Sequence, residues 1–128
     1  MIVVNIHEII GGLVVLAFLV LAVLNLFQAM GKSISIVRPI SMIAGGLLIL
    51  QYVLGFLLMG QGLRNSNLHY GLALLAIVTV GAEHMLGSKP GKGMAVFLAT
   101  AASFVLVLLA YLYGMRGMGP AEAAMLVR

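Results

Sequence analysis

Four stretches of about twenty apolar residues, parted by short polar breaks, make up most of the chain. A helix needs about 20 such residues to cross the hydrocarbon core of a bilayer. The stretches run from about Ile6 to Met30, Pro39 to Met59, Leu68 to Leu86 and Met94 to Tyr113. Inside lipid every backbone N–H and C=O must be satisfied within the protein, so each stretch is expected to be a helix. The breaks carry turn chemistry: Gly31-Lys32-Ser33, then Gly60-Gln61-Gly62 through to Asn67, then Gly87-Ser88-Lys89-Pro90-Gly91. Pro39 suits a first helical turn, where a missing N–H costs nothing. Connections this short make sequential helices antiparallel. The expected fold is therefore all-α, an integral membrane four-helix up-down-up-down bundle over residues 1–116, with a short peripheral tail over 117–128.

Composition points the same way. Only 8% of the 128 residues are charged and 63% are hydrophobic. A soluble domain carries about 25% charged residues, so this chain cannot cover itself with a polar surface. The length fits one domain. The absence of cysteine excludes disulfides, c-type haem attachment, and cysteine-ligated zinc or iron–sulfur clusters. The first apolar run has no basic residue before it and no clean small-residue cleavage site, which favours a retained span over a signal peptide.

The net charge is +4. The seven cations are scattered over span ends, loops and tail, which favours membrane flanks over a nucleic-acid patch. Lys32, Arg38, Lys89 and Lys92 follow spans one and three; Arg64, Arg116 and Arg128 fall on the other side. By the positive-inside rule this places both termini outside and the two basic loops in the cytoplasm, the membrane being a bacterial inner membrane.

Three histidines stand out against this background. His7 opens span one, and His69 opens span three. In an up-down-up-down bundle these spans are parallel, so the two imidazoles share a depth near one membrane face. Ionisable groups in a span are expensive and usually functional. A pair of imidazoles at one depth can supply the two axial nitrogens of a haem iron. The alternative for both is an imidazole at a helix start near the headgroups. Gly11, one turn from His7, and Gly55, one turn from the end of span two, would let a flat macrocycle approach, though glycine is also common where membrane helices touch. The face of His7 continues through Gly11, Val14, Phe18, Ala22 and Asn25 at helical spacing. Arg64 and Arg116 fall on the His7/His69 side and could pair with haem propionates or serve as interfacial anchors. Met59 and Met115 end on that side as well, which leaves a His–Met pair open.

His84 is separate. It follows His69 by fifteen residues, about 22 Å along a helix, and so belongs near the opposite face. A second haem there would need a thioether from Met30, Met42 or Met94. A chlorophyll-type magnesium would need His84 alone. A plain interfacial histidine beside Glu83 is the simplest alternative.

The stretch GGLLILQYVLGFLLMGQGLRNSNLHYGLALL, from Gly45 to Leu75, resembles the haem A synthase family. That family has a span with Gln-x-x-Leu-Gly, a loop, then a span opening on His with a Leu/Ala run; Gln51, Leu54, Gly55 and His69 match. Span one resembles the family's other histidine-bearing helix, His7 matching with Gly11 and Gly12. Haem A synthases are built from two four-helix halves, each holding a haem between two histidines, and the chain resembles one such half. It departs from the catalytic Glu-x-x-His-Arg, with Val4 at the glutamate position and Glu8 in place of the arginine. The resemblance thus implies haem holding without haem oxidation, and no catalytic residue is assigned.

Two functions follow as expectations. The first is a membrane b-type cytochrome or cytochrome-like subunit. It would hold haem b between His7 and His69 and pass electrons within a respiratory or photosynthetic complex, rather than act as an enzyme by itself. The second is a non-catalytic structural or assembly subunit of such a complex, with a pigment on His84. Either one expects the lipid bilayer and other membrane subunits, or a second copy of the chain, as partners. A transporter is disfavoured because no span carries a charge near mid-membrane.

Overall fold

The computed structural model describes residues 2–117. They form four helices: α1, Ile2–Ala29; α2, Val37–Gly60; α3, Asn67–Gly87; and α4, Gly93–Gly117. All four are long and apolar enough to cross a membrane, and the protein is an integral membrane helical bundle. The expected peripheral tail, apart from Gly117 in the last turn of α4, lies outside the described residues.

The connections behave as their glycines require. Gly31 and Gly62 adopt φ of 87° and 83°, a left-handed conformation that costs a glycine little. Beyond each, the chain folds back on the helix it leaves: Lys32 N–H donates to Phe27 C=O, and Leu63 N–H to Leu58 C=O. This closure satisfies carbonyls that the helix ends would leave bare. α3 starts differently, with Ser66 Oγ accepting from the His69 N–H at 3.2 Å.

α1 starts at Ile2, four residues before the expected start near Ile6. The histidine therefore sits more than one turn inside α1 and does not open it. α2 takes Pro39 into its first turn, as anticipated.

α1 packs against α2 and α4, and α4 packs against α3. The α1 face anticipated from helical spacing is the buried one: Gly11, Val14, Phe18, Ala22 and Asn25, joined by Val4 and Leu21. Phe18 and Leu21 meet Ala44, Leu48, Ala76 and Val107 in one core. Small residues let the backbones close up, as membrane helices require when lipid supplies no hydrophobic drive between them. At Gly93, a Cβ would stand 3.3 Å from Ala29 Cα. The outward faces are apolar, with Ile49, Phe56, Val78 and Leu98 among the most exposed side chains.

α2 and α3 do not pack backbone against backbone along their length. Two side-chain bridges span the seam. The Tyr52 hydroxyl donates to the Ala73 carbonyl, and the Ser41 hydroxyl donates to the Glu83 carboxylate at 3.2 Å. Polar links also sit elsewhere in the interior. Asn25 Nδ2 donates to Thr100 Oγ1 at 2.8 Å between α1 and α4, and the Ser103 and Thr79 hydroxyls meet at 2.7 Å between α4 and α3. Such bonds between membrane helices are worth about 0.6 kcal/mol on average and up to about 1.7 kcal/mol.

Thr100→Val keeps the side-chain shape but removes the acceptor from an amide that is almost completely buried. We expect a loss of about 1 kcal/mol, read by reversible unfolding in mixed micelles, with little further loss when Asn25→Leu is added. Additive losses would show that the two groups do not bond.

Candidate cofactor site at the histidine pair

His7 of α1 and His69 of α3 meet at one end of the bundle, with ring centroids 6.5 Å apart and planes inclined by 69°. The two helices lie on a diagonal of the bundle and reach each other here through side chains. An imidazole nitrogen binds a first-row metal at about 2 Å. Two rings sharing one metal atom stand at about the separation found here.

Each imidazole is held by its second nitrogen or its neighbours. His69 Nδ1–H donates to the Ala110 carbonyl of α4 at 2.7 Å. This bond fixes the ring and leaves Nε2 with a free lone pair, the arrangement typical of a histidine poised to bind metal. His7 Nε2 lies 3.2 Å from the Gln51 amide of α2, and His7 Nδ1 is buried with no partner. Either tautomer of His7 leaves Nδ1 alone, an orphaned polar atom of a kind rarely tolerated in an interior.

Beside the pair lies an apolar cavity of about 340 Å³. His7, Gly11, Gln51, Tyr52, Gly55 and His69 line it, with Val14, Leu48, Ala76 and Val107 forming its deep wall. Volumes of about 300–1,000 Å³ are typical of small-molecule and cofactor sites. The cavity lies along the α2–α3 seam, where Phe56, Met59 and Leu74 border it. Glycines keep the space near the rings. A Cβ on Gly55 would come within 3.5 Å of His7 Cε1, and one on Gly114 within 3.0 Å of His69 Cε1. A Cβ on Gly11 would press on Gln51 Nε2 and Tyr111 Cδ2, both at 3.0 Å.

The structure thus gathers His7, His69, Gly11 and Gly55 into one site. Arg64 lines the mouth beside Glu8, Asn65 and Met115. Arg116 stands in the last turn of α4 at the same end but lines neither the mouth nor the cavity. Met59 borders the cavity and Met115 the mouth. Tyr70, Tyr111 and Gly114 also shape the site and are not signalled by histidine spacing. A small residue on α4 facing His69 could have been sought only once the pairing of α3 with α4 was known.

His84 lies at the far end. Its Nδ1 is 2.8 Å from Glu83 Oε2 and 3.0 Å from the Val80 carbonyl, and its side chain is half exposed. Glu83 is not the solvated interfacial acid that its position suggests. It is 5% exposed, turned into the bundle and bonded to Ser41. Met42 lines the same space as His84, whereas Met30 and Met94 lie outside that lining. Among the described residues no three His, Cys, Asp or Glu side chains converge to hold a metal, so the His7/His69 pair is where imidazoles meet.

No protein-family model, curated protein or solved structure matches the chain.

The glycine geometry makes opposite demands at two positions. Gly71 has open space around its Cβ position, so Gly71→Ala should hold or raise the melting temperature, alanine being favoured by about 1 kcal/mol in helices. Gly11→Ala should lower it, because Gln51 and Tyr111 must give way. Thermal unfolding in detergent compares the two, and a shift of the same sign in both would contradict this packing.

Proposed function

We propose that the protein is a small membrane b-type cytochrome, or cytochrome-like subunit, holding one haem b between His7 and His69. The observation that carries this reading is the imidazole pair at 6.5 Å, one ring with a buried unpartnered nitrogen, beside an apolar cavity. That donor set fits a metal inside a flat apolar macrocycle. When bound, such a group supplies one-electron exchange at its iron.

The protein's own residues have defined parts. His7 and His69 are the ligands. The Ala110 carbonyl orients His69 and raises its basicity by accepting the Nδ1 proton. Gln51 steadies His7 from α2. Gly11 and Gly55 keep the approach to the rings free of side chains. Val14, Leu48 and Val107 keep water from the deep side, and low polarity is one of the levers that sets a redox potential. Arg64 at the mouth would meet a carboxylate of the group, and Arg116 is a second cation at that end.

Electron exchange would then be with other membrane subunits or a second copy of the chain. In this reading the Lys32/Arg38/Lys89/Lys92 end faces the cytoplasm of a bacterial inner membrane. At His84, Nδ1 is engaged and Nε2 has no partner among the described residues, which favours a group needing a single imidazole, such as a chlorophyll-type pigment, over a second bis-histidine haem.

A reduced-minus-oxidised spectrum of the purified protein, with a pyridine haemochrome assay, tests the reading. We expect a b-type band, abolished in His7→Ala and in His69→Ala and retained in His84→Ala. A protein that carries no haem would leave the non-catalytic structural subunit as its function. A red-shifted magnesium-pigment absorbance lost only in His84→Ala would assign the pigment.

A further inference from the structure

Four of the seven cations, which the topology assigns to one membrane side, gather around a single space. Lys32, Arg38, Lys89 and Lys92 line one cavity of about 920 Å³ at the end of the bundle remote from His7 and His69. Connections that are far apart in sequence are thus brought around a single space. Glu83 is the one carboxylate in its lining, and Ser41 and His84 already engage it. Four cations against one carboxylate leave three positive charges in excess. None of the four cations pairs with a carboxylate among the described residues.

Two backbone features add to the field. α2 and α4 both begin at this end, and Val37, Arg38 and Gly93 from their first turns line the cavity. The start of α2 has no side-chain cap and no acidic residue in its first turn, and the first turn of α4 has no acidic residue. Uncapped helix starts present free N–H groups and partial positive charge.

Asn25 supplies an independent observation. It lines the same cavity, is 1% exposed, and donates through Nδ2 to Thr100, while its Oδ1 is buried with no partner. A buried acceptor of this kind calls for an O–H or N–H donor.

We propose that this vestibule binds a phosphate-bearing anion that also carries a hydroxyl. The phosphate oxygens meet the cations and the two helix starts, and the hydroxyl donates to Asn25 Oδ1. A carboxylate would use only part of this donor set, whereas phosphate oxygens radiate from one centre. The cavity lies at the helix ends, the depth at which anionic headgroups meet basic pockets between membrane helices. An anionic phospholipid with a hydroxylated headgroup and free monoprotonated phosphate share this chemistry.

Native mass spectrometry of the full chain in detergent tests it, with phosphatidylglycerol, phosphatidylcholine and inorganic phosphate as probes. We expect a discrete phosphatidylglycerol adduct on the unaltered protein and none of comparable strength with phosphatidylcholine. Joint replacement Lys32→Gln, Arg38→Gln and Lys92→Gln should weaken the adduct on the order of a hundredfold. Lys92→Gln alone, on an exposed connection, should weaken it several-fold, which keeps the test valid if the triple variant misfolds. The pair Arg64→Gln and Arg116→Gln, which removes two positive charges at the other end, should leave it unchanged. Displacement by millimolar inorganic phosphate would mark free phosphate as a ligand, and resistance to it would assign the lipid headgroup. Equal binding of the two lipids, equal losses from both ends, or an unaffected triple variant would overturn the proposal.

Discussion

Everything distinctive in this bundle depends on α2 and α3 standing apart. α1 and α4 fill the centre, close up through small residues and carry the polar links that lipid makes worthwhile. α2 and α3 attach to that pair and, among the described residues, are hydrogen-bonded to each other through Tyr52–Ala73 and Ser41–Glu83. A tightly closed bundle would have left no space beside His7 and His69. The open seam instead creates an apolar cavity at one end and contributes to a basic vestibule at the other.

The two ends then differ in chemistry because their polar residues differ. At the histidine end two imidazoles, the Gln51 amide and the Ala110 carbonyl are set in apolar walls, with Arg64 and Glu8 at the mouth. At the far end, cations and helix starts outnumber one buried carboxylate. Between them, Asn25–Thr100 and Ser103–Thr79 knit α1, α4 and α3 without offering charge to the bilayer.

Much of this was legible in the sequence, for identifiable reasons. Apolar length fixed the four helices, because lipid forbids unsatisfied backbone. The 3.6-residue period fixed the buried face of α1 from Gly11 to Asn25. The parallel sense of spans one and three brought His7 and His69 together before any coordinates. Other features were hidden because they depend on which helices pair laterally. Gly114 opposite His69, Tyr111 beside Gly11 and the Ala110 carbonyl all come from α4, whose partners no periodicity reveals. Glu83 looked solvated because its position lies near a span end, but the turn of α3 points it at Ser41. The topology put Lys32, Arg38, Lys89 and Lys92 on one membrane side, but that they line one cavity depends on lateral packing.

In the proposed cytochrome His7 and His69 would hold one and the same iron atom. Low-temperature electron paramagnetic resonance of the oxidised protein reads the ligand field of that iron directly. We expect a low-spin ferric signal of the kind given by two imidazole ligands, lost when either histidine is replaced by alanine. A high-spin signal in the unaltered protein, or a low-spin signal indifferent to one of the two replacements, would contradict it.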